Sequence, residues 1–272
     1  MLGYTLKNID LTSLDEDAFL ALRRAIPEHG VVCIRQQKLQ IEDLVALTQR
    51  FGDPVLLPKG LRFNNTLEEY PELARVSNIL PDGTLLKQHQ AAEYWHVDGD
   101  FWQPGQNYIF NFLYSVQVPD QGGRTGFADL RTAFDALDDA LKKRIKNLQF
   151  LSSCAAIPDF DVASPDEYLP DAYHNITHTH AETGRQGLYV NYPTTQIQGL
   201  SERESQEILE ALFEAIDSPG NTYQHDWQAG DLLIWDNTSV MHRSMGGYGD
   251  SPRLLYRTQA FMQPTGQMAA AD

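Results

Sequence analysis

Apolar residues three and four positions apart run through DEDAFLALRRAIPEHG (15–30), the spacing of one helix face, and the pattern closes on Pro27 and Gly30. VVCIR (31–35) follows directly as a short apolar strand. A second helical period fills QIEDLVALTQRFG (40–52), with Gly52 where a C-cap belongs. Residues 53–92 mix Pro, Gly and polar residues around ARVSNIL (74–80), which predicts one short strand in a long loop near a site, and long loops in compact domains are often lids. From residue 94 onward β-character dominates. NYIFNFLYSVQV (107–118) alternates, with Tyr108, Phe110, Phe112, Tyr114 and Val116 on one face, and PDQGG then turns the chain. Helical patterns return over 131–149 and 201–220, the latter opening on a Ser cap and an acidic first turn. Strands are predicted at 186–192, 231–237 and 253–263, and TGQMAAAD at the C-terminus reads as frayed.

Strands separated by helices would ordinarily suggest βαβ units, but no Gly-rich phosphate loop accompanies them. The expected fold is therefore mainly β with flanking helices, an antiparallel jelly roll with helices packed outside. At 272 residues the chain reads as a single domain, 1–272, large enough to bury a core without disulfide staples.

Charge narrows the function. With 37 acidic residues against 21 basic, the net charge of −16 repels phosphate backbones and anionic membranes, so neither nucleic acid nor membrane is an expected partner. Small anions must then be captured locally, which makes any inward arginine informative. No apolar run approaches the length of a membrane span, the N-terminus lacks a signal-peptide pattern, and Cys33 and Cys154 stand far apart, so a cytoplasmic location is expected.

Candidate chemistry centres on EYWHVDGDFW (93–102). On a strand, His96 and Asp98 would face the same side while Val97 faces the other. An imidazole and a carboxylate at that spacing can share a metal, although H-x-D alone also occurs by chance. In WDNTSVMHRS (235–244), His242 sits just past an apolar strand and supplies a second imidazole. Two His and one carboxylate make the facial triad of non-haem Fe(II) oxygenases, and catalytic zinc uses three protein ligands as well, so the trio does not choose the metal. Arg253 and Arg257 are four apart on a predicted strand, hence on one face. Buried guanidinium groups need anions, either internal carboxylates or a dicarboxylate ligand held in the guanidinium fork. GGRTGFADL (122–130) adds a glycine turn and the Thr125 hydroxyl.

Taken in order, EHGVVCIRQQKLQIEDLVALTQRFGDP, WHVDGDF, GGRTGFADL, HTHAETGRQGLYVN, GDLLIWDN, MHR and PRLLYR resemble the taurine/2,4-dichlorophenoxyacetate dioxygenase (TauD/TfdA) family of Fe(II)- and 2-oxoglutarate-dependent oxygenases, across most of the chain. The resemblance implies a double-stranded β-helix with iron at its open end. It implies His96, Asp98 and His242 as iron ligands, and Thr125 and Arg253 as holders of the distal carboxylate of 2-oxoglutarate. Arg257 falls where relatives bind either the substrate's acidic group or the proximal carboxylate. Dioxygen would be the second co-substrate, and oxidation of a C–H bond of a small molecule would release succinate and carbon dioxide. Asp98 stands where halogenating relatives carry a small residue, which implies hydroxylation, or a desaturation or cyclisation variant. Homo-oligomers are common among relatives.

The resemblance implies that the loop 79–92, with Lys87, Gln88 and His89, is an inserted lid, although it and the stretch NYPTTQIQGL depart from the taurine-type pattern. A small acidic molecule, such as an amino acid derivative or natural-product intermediate, is the expected substrate, because Arg257 would otherwise lack a counter-ion. His174, His178 and His180 read as structural, Trp95, Phe101 and Trp102 as core or pocket wall, Cys154 as inert, and Asn237 as either a turn residue or a support near His242. Two rival readings remain at this point: a non-catalytic jelly-roll module binding metal or ligand, and a zinc hydrolase, for which no general-base glutamate at H-E-x-x-H spacing is present.

Overall fold

The computed structural model describes residues 1–56, 66–80, 82–86, 92–106, 108–153, 170–192 and 196–262. Cys154, Lys87, Gln88, His89, the whole of the 263–272 tail and part of the expected lid lie outside these residues. The chain opens with β1 (Tyr4–Leu6), α1 (Glu16–His29), β2 (Val31–Ile34) and α2 (Ile41–Phe51). Asp15 caps α1 by accepting the Ala18 N–H, and Gly30 ends it at φ 74°, a left-handed conformation that glycine adopts without a Cβ clash. Pro27 does not stop the helix but sits in its last turn, where its carbonyl accepts a hydrogen bond from Arg131.

After β3 (Ala74–Ser77) come β4 (Ile109–Gln117), β5 (Thr125–Asp129), α3 (Leu130–Ala136), α4 (Asp139–Ile145), β6 (Gln149–Ser152), β7 (Ala172–Asn175), β8 (Thr177–Thr179) and β9 (Gln186–Leu188). The chain continues with α5 (Glu202–Ile216), β10 (Thr222–His225), β11 (Leu232–Asp236), β12 (Val240–Ser244) and β13 (Leu254–Phe261). A six-stranded sheet in the order β1-β2-β11-β4-β13-β3 faces a three-stranded sheet in the order β10-β5-β12, and all of these pairings are antiparallel except β1 with β2.

Alternation along the strands builds the layers. Val32 and Ile34, Phe110, Phe112 and Tyr114, and Leu232 and Ile234 bury one face of the large sheet with Phe19, Leu22, Ile26, Leu44, Leu47 and Phe51 of α1 and α2. The intervening residues Val31, Cys33, Leu113, Leu233 and Trp235 turn the other way and meet Phe127 and Val240 of the small sheet. Each such side chain removed from water contributes roughly 1.5–3 kcal/mol. The outer face of the small sheet, through Ala128 and Met241, packs with Leu130, Ala133, Ile208, Leu209 and Leu212. The architecture is the expected jelly roll with helices outside.

Two predicted elements change. The helical pattern over 131–149 is two helices and the start of a strand: Leu137 leaves the helix at ψ 148°, and Asp138 begins α4 by accepting the Leu141 N–H at 2.7 Å. Asp and Ser side chains at such positions satisfy orphaned helix N–H groups, and a second cap inside one apolar period makes two helices. The predicted strand at 186–192 stops at Leu188, because Tyr189 to Tyr192 carry the chain to the site. Ser201 caps α5 as expected, in a reciprocal box with Glu204.

Candidate active site

His96 and Asp98 do not lie on a strand. His96 forms an isolated bridge with His242, and Asp98 begins a turn. The segment is nevertheless held as firmly as a strand, because each backbone N–H and C=O in it is satisfied. His96 exchanges backbone hydrogen bonds with His242, at 3.0 and 2.9 Å. The Asn191 carboxamide accepts the Val97 N–H at 3.1 Å and donates to the Val97 carbonyl at 3.2 Å. Asn237 does the same for Asp98, accepting its N–H at 3.0 Å and donating to its carbonyl at 2.7 Å. Val97 still turns away from its neighbours into the core at 2% exposure, so the expected alternation survives without the strand.

His242 lies just past β11, as expected, and itself within the next strand, β12, on the same inward face as Val240. The turn between β11 and β12 brings it there. Asp236 accepts from Thr238 N (2.9 Å), Thr238 Oγ1 (2.7 Å) and Ser239 Oγ (2.5 Å), so the chain passes from one sheet to the other within a few residues. Asn237, at the apex, clasps Asp98 and not His242.

The result is convergence. One ligand-type atom each of His96, Asp98 and His242 lies within 4.8 Å of the others. The His96 Nδ1 faces the Tyr94 carbonyl at 2.9 Å, which assigns the proton to Nδ1 and leaves the Nε2 lone pair free. His242 presents Nε2 toward Asp98 Oδ2 at 3.7 Å. Burial first, then the neighbouring His96, pushes the His242 pKa down to about 3, so this imidazole is neutral at pH 7. Burial by itself would raise the Asp98 carboxyl, but Arg257, His242 and His96 outweigh it and hold Asp98 below the usual carboxylate range. Two imidazoles and one carboxylate thus face a common point.

The two arginines part company. Arg253 immediately precedes β13 and Arg257 lies within it; the register shift at Leu254/Leu255 skips Val116 of β4, with Leu254 opposite Gln117 and Leu255 opposite Ser115, and leaves the alternation of β13 intact, yet the two guanidinium groups meet different partners. Arg257 has an internal counter-ion after all, its Nη1 lying 3.3 Å from Asp98 Oδ1, with Gln259 Nε2 donating to Asp98 Oδ2 at 3.2 Å. Arg257 and Gln259 also line a small cleft with Val55, Thr66, Pro71 and Leu73. Arg253 is 4% exposed, has no carboxylate partner among the described residues, and its Nε makes no hydrogen bond. Burial pushes its pKa down to about 10. Gly123 permits this placement: a Cβ there would meet Pro119 Cγ at 2.9 Å and Arg253 Nε at 3.4 Å. Two residues on, Thr125 begins β5 and is 4% exposed.

The remaining histidines take other roles. His180 pairs with Asp236 at 2.8 Å, His174 meets the Asp100 carbonyl at 2.5 Å, and burial holds His178 neutral with a pKa down to about 4. Sequence reasoning missed Asn191, Gln259 and Trp227, all polar-capable side chains whose partners are distant in the chain; the only local signal was that each sits in a predicted strand or its approach.

Known proteins match the chain over most of its length. The family model described as Taurine catabolism dioxygenase TauD, TfdA family matches residues 3–259. The chain is 30% identical to the (S)-phenoxypropionate/alpha-ketoglutarate-dioxygenase of Sphingobium herbicidovorans, over 99% of this chain and 95% of that protein. It is likewise 30% identical to the alpha-ketoglutarate-dependent 2,4-dichlorophenoxyacetate dioxygenase of Cupriavidus pinatubonensis, over 87% and 86% of the two chains. The crystal structure of AAD-2 in complex with Mn(II) and N-oxalylglycine superposes with a TM-score of 0.83 at 25% identity, covering 97% of this chain and 96% of that one.

Proposed function

The chain belongs to the TauD/TfdA family and is an Fe(II)- and 2-oxoglutarate-dependent dioxygenase; on that premise we propose that His96, Asp98 and His242 hold its iron. The observation that carries this reading is the approach of their three ligand-type atoms to within 4.8 Å. The donor set fits ferrous ion: two imidazoles and one carboxylate are the ligands of the facial triad, which leaves coordination sites free. Bound iron supplies the redox chemistry that couples 2-oxoglutarate and dioxygen to oxidation of a substrate C–H bond, with release of succinate and carbon dioxide.

The chain's own residues do the positioning. Tyr94 keeps the His96 proton on Nδ1, and Asn191 and Asn237 fix the backbone between His96 and Asp98, so the donor atoms need little reordering. Trp235 packs on His242 with ring centroids 4.9 Å apart and shields it from water. Arg253, buried without a carboxylate partner among the described residues, and the Thr125 hydroxyl seat the distal carboxylate of 2-oxoglutarate, for which a guanidinium fork is the matching donor.

Arg257 receives the acidic group of the substrate. Asp98 engaged with a cation has less charge to offer Arg257, and a substrate carboxylate in the adjoining cleft restores the pairing. A small organic acid is also the kind of molecule named for both phenoxy-acid relatives. The reaction is hydroxylation of such an acid. The test is anaerobic loading with Fe(II) and 2-oxoglutarate, followed by air and a panel of small carboxylic acids with their neutral amides, scored by succinate. Acids should release succinate in step with product and amides should not; equal turnover of both would remove Arg257 from substrate binding.

A further inference from the structure

Thr125 is not alone at its end of β5. The indole Nε1 of Trp227 donates to Thr125 Oγ1 at 3.0 Å, and no other hydrogen bond of that hydroxyl occurs among the described residues. A hydroxyl has one proton to give. Once a fixed N–H occupies one of its lone pairs, the proton is confined to the remaining directions. We propose that Trp227 is a positioning residue: it orients the Thr125 hydroxyl as a donor to the distal carboxylate of the keto acid. The inference rests on the proposed seat formed by Thr125 and Arg253.

The indole is itself braced. It stands edge-on to the His225 ring at 4.6 Å and 81°. His225 Nε2 faces Asp231 Oδ2 at 3.0 Å and its Nδ1 faces the Tyr223 hydroxyl at 2.9 Å, so the carboxylate assigns the ring proton to Nε2 and Tyr223 donates to Nδ1. Asp231 is fixed in turn by Arg35 at 2.6 Å and by the Gln228 N–H at 2.9 Å. Cys33, His225 and Asp231 lie close enough together to suggest a second metal site. Both nitrogens of His225 and Asp231 Oδ2 are already committed, however, and a guanidinium occupies the place of a cation. The cluster is a brace, and what it braces is the loop that carries Trp227. Residues 222–231 therefore connect the buried Asp231 to the hydroxyl that meets the co-substrate.

The test is calorimetric binding to the Mn(II)-loaded protein without oxygen, using two keto acids: 2-oxoglutarate, and 2-oxobutyrate, which lacks the distal carboxylate. Trp227→Phe keeps most of the ring and removes the N–H. It should weaken 2-oxoglutarate about fivefold, the effect of losing one oriented neutral hydrogen bond, and leave 2-oxobutyrate within about twofold. Thr125→Val should weaken 2-oxoglutarate at least as much, Thr125→Ser should not, and the double variant should match Thr125→Val alone, as expected of coupled residues. If Thr125→Val weakens 2-oxoglutarate and Trp227→Phe does not, or if Trp227→Phe weakens both keto acids alike, the positioning role is overturned while the seat stands. If Thr125→Val has no effect, the seat itself is wrong. Should Trp227→Phe fail to fold, Trp227→His, which retains a ring N–H, and Trp227→Leu make the same comparison.

Discussion

Replacing Arg253 with Met should have opposite effects on affinity and on stability. The guanidinium is 4% exposed, its Nε is unpartnered, and burial has moved its pKa from 12.5 down to about 10. At 1.36 kcal/mol per unit, that displacement corresponds to about 3 kcal/mol by which the ligand-free fold disfavours the charged side chain. Arg253→Met removes the charge and retains most of the packed length, so the ligand-free protein should unfold at the same denaturant concentration as wild type or a higher one. The co-substrate loses charge-assisted hydrogen bonds worth about 1.5–3 kcal/mol, so the dissociation constant for 2-oxoglutarate should rise about 10- to 150-fold. Urea unfolding of the ligand-free protein and calorimetric titration of the Mn(II)-loaded protein give the two numbers. Loss of stability by 3 kcal/mol or more would mean that Arg253 already has an internal partner. Unchanged affinity would mean that the carboxylate sits elsewhere.

Two further substitutions probe the support around the trio. Asn237→Ala removes both hydrogen bonds to the Asp98 backbone and should weaken metal binding about 10- to 100-fold, measured by competition with a chelator, while 2-oxoglutarate affinity at saturating metal changes less. Asp236 is fully buried; burial alone would raise its carboxyl, but His180 and the Ser239 and Thr238 hydroxyls outweigh it and bring it from 3.8 to about 2. Its folded pKa is below its unfolded value, so the stabilisation, about 2 kcal/mol, is complete above pH 3.8 and is lost as pH falls toward 2. Asp236→Asn should therefore lower stability at pH 7 and flatten the acid-unfolding curve between pH 4 and 2; an unchanged acid curve would contradict this.

Much of the site was legible in the chain, and what was not has a physical cause. His96 and Asp98 were found because alternate residues of any extended segment face the same side, even though the segment proved not to be a sheet strand. Its hydrogen bonds come from Asn191, Asn237 and His242, all about a hundred residues or more away, and no local periodicity encodes such partners. The arginine pair was read from an even spacing, which says nothing of the partner each guanidinium meets: Arg257 found Asp98, and Arg253 found no carboxylate among the described residues. The break between α3 and α4 was present as Asp138 but was hidden beneath a continuous apolar period. Trp227 carries a donor that becomes meaningful only once β10 is seen beside β5.

The most direct test of the account is the metal itself. Purified protein stripped of metal should take up one Fe(II) per chain under anaerobic conditions and, on addition of 2-oxoglutarate, develop a weak visible charge-transfer band. Asp98→Ala and His242→Ala, each shown to be folded, should bind Fe(II) at least tenfold more weakly and form no band at wild-type concentrations. Wild-type iron affinity and an intact band in either variant would contradict the assignment of these side chains to the iron.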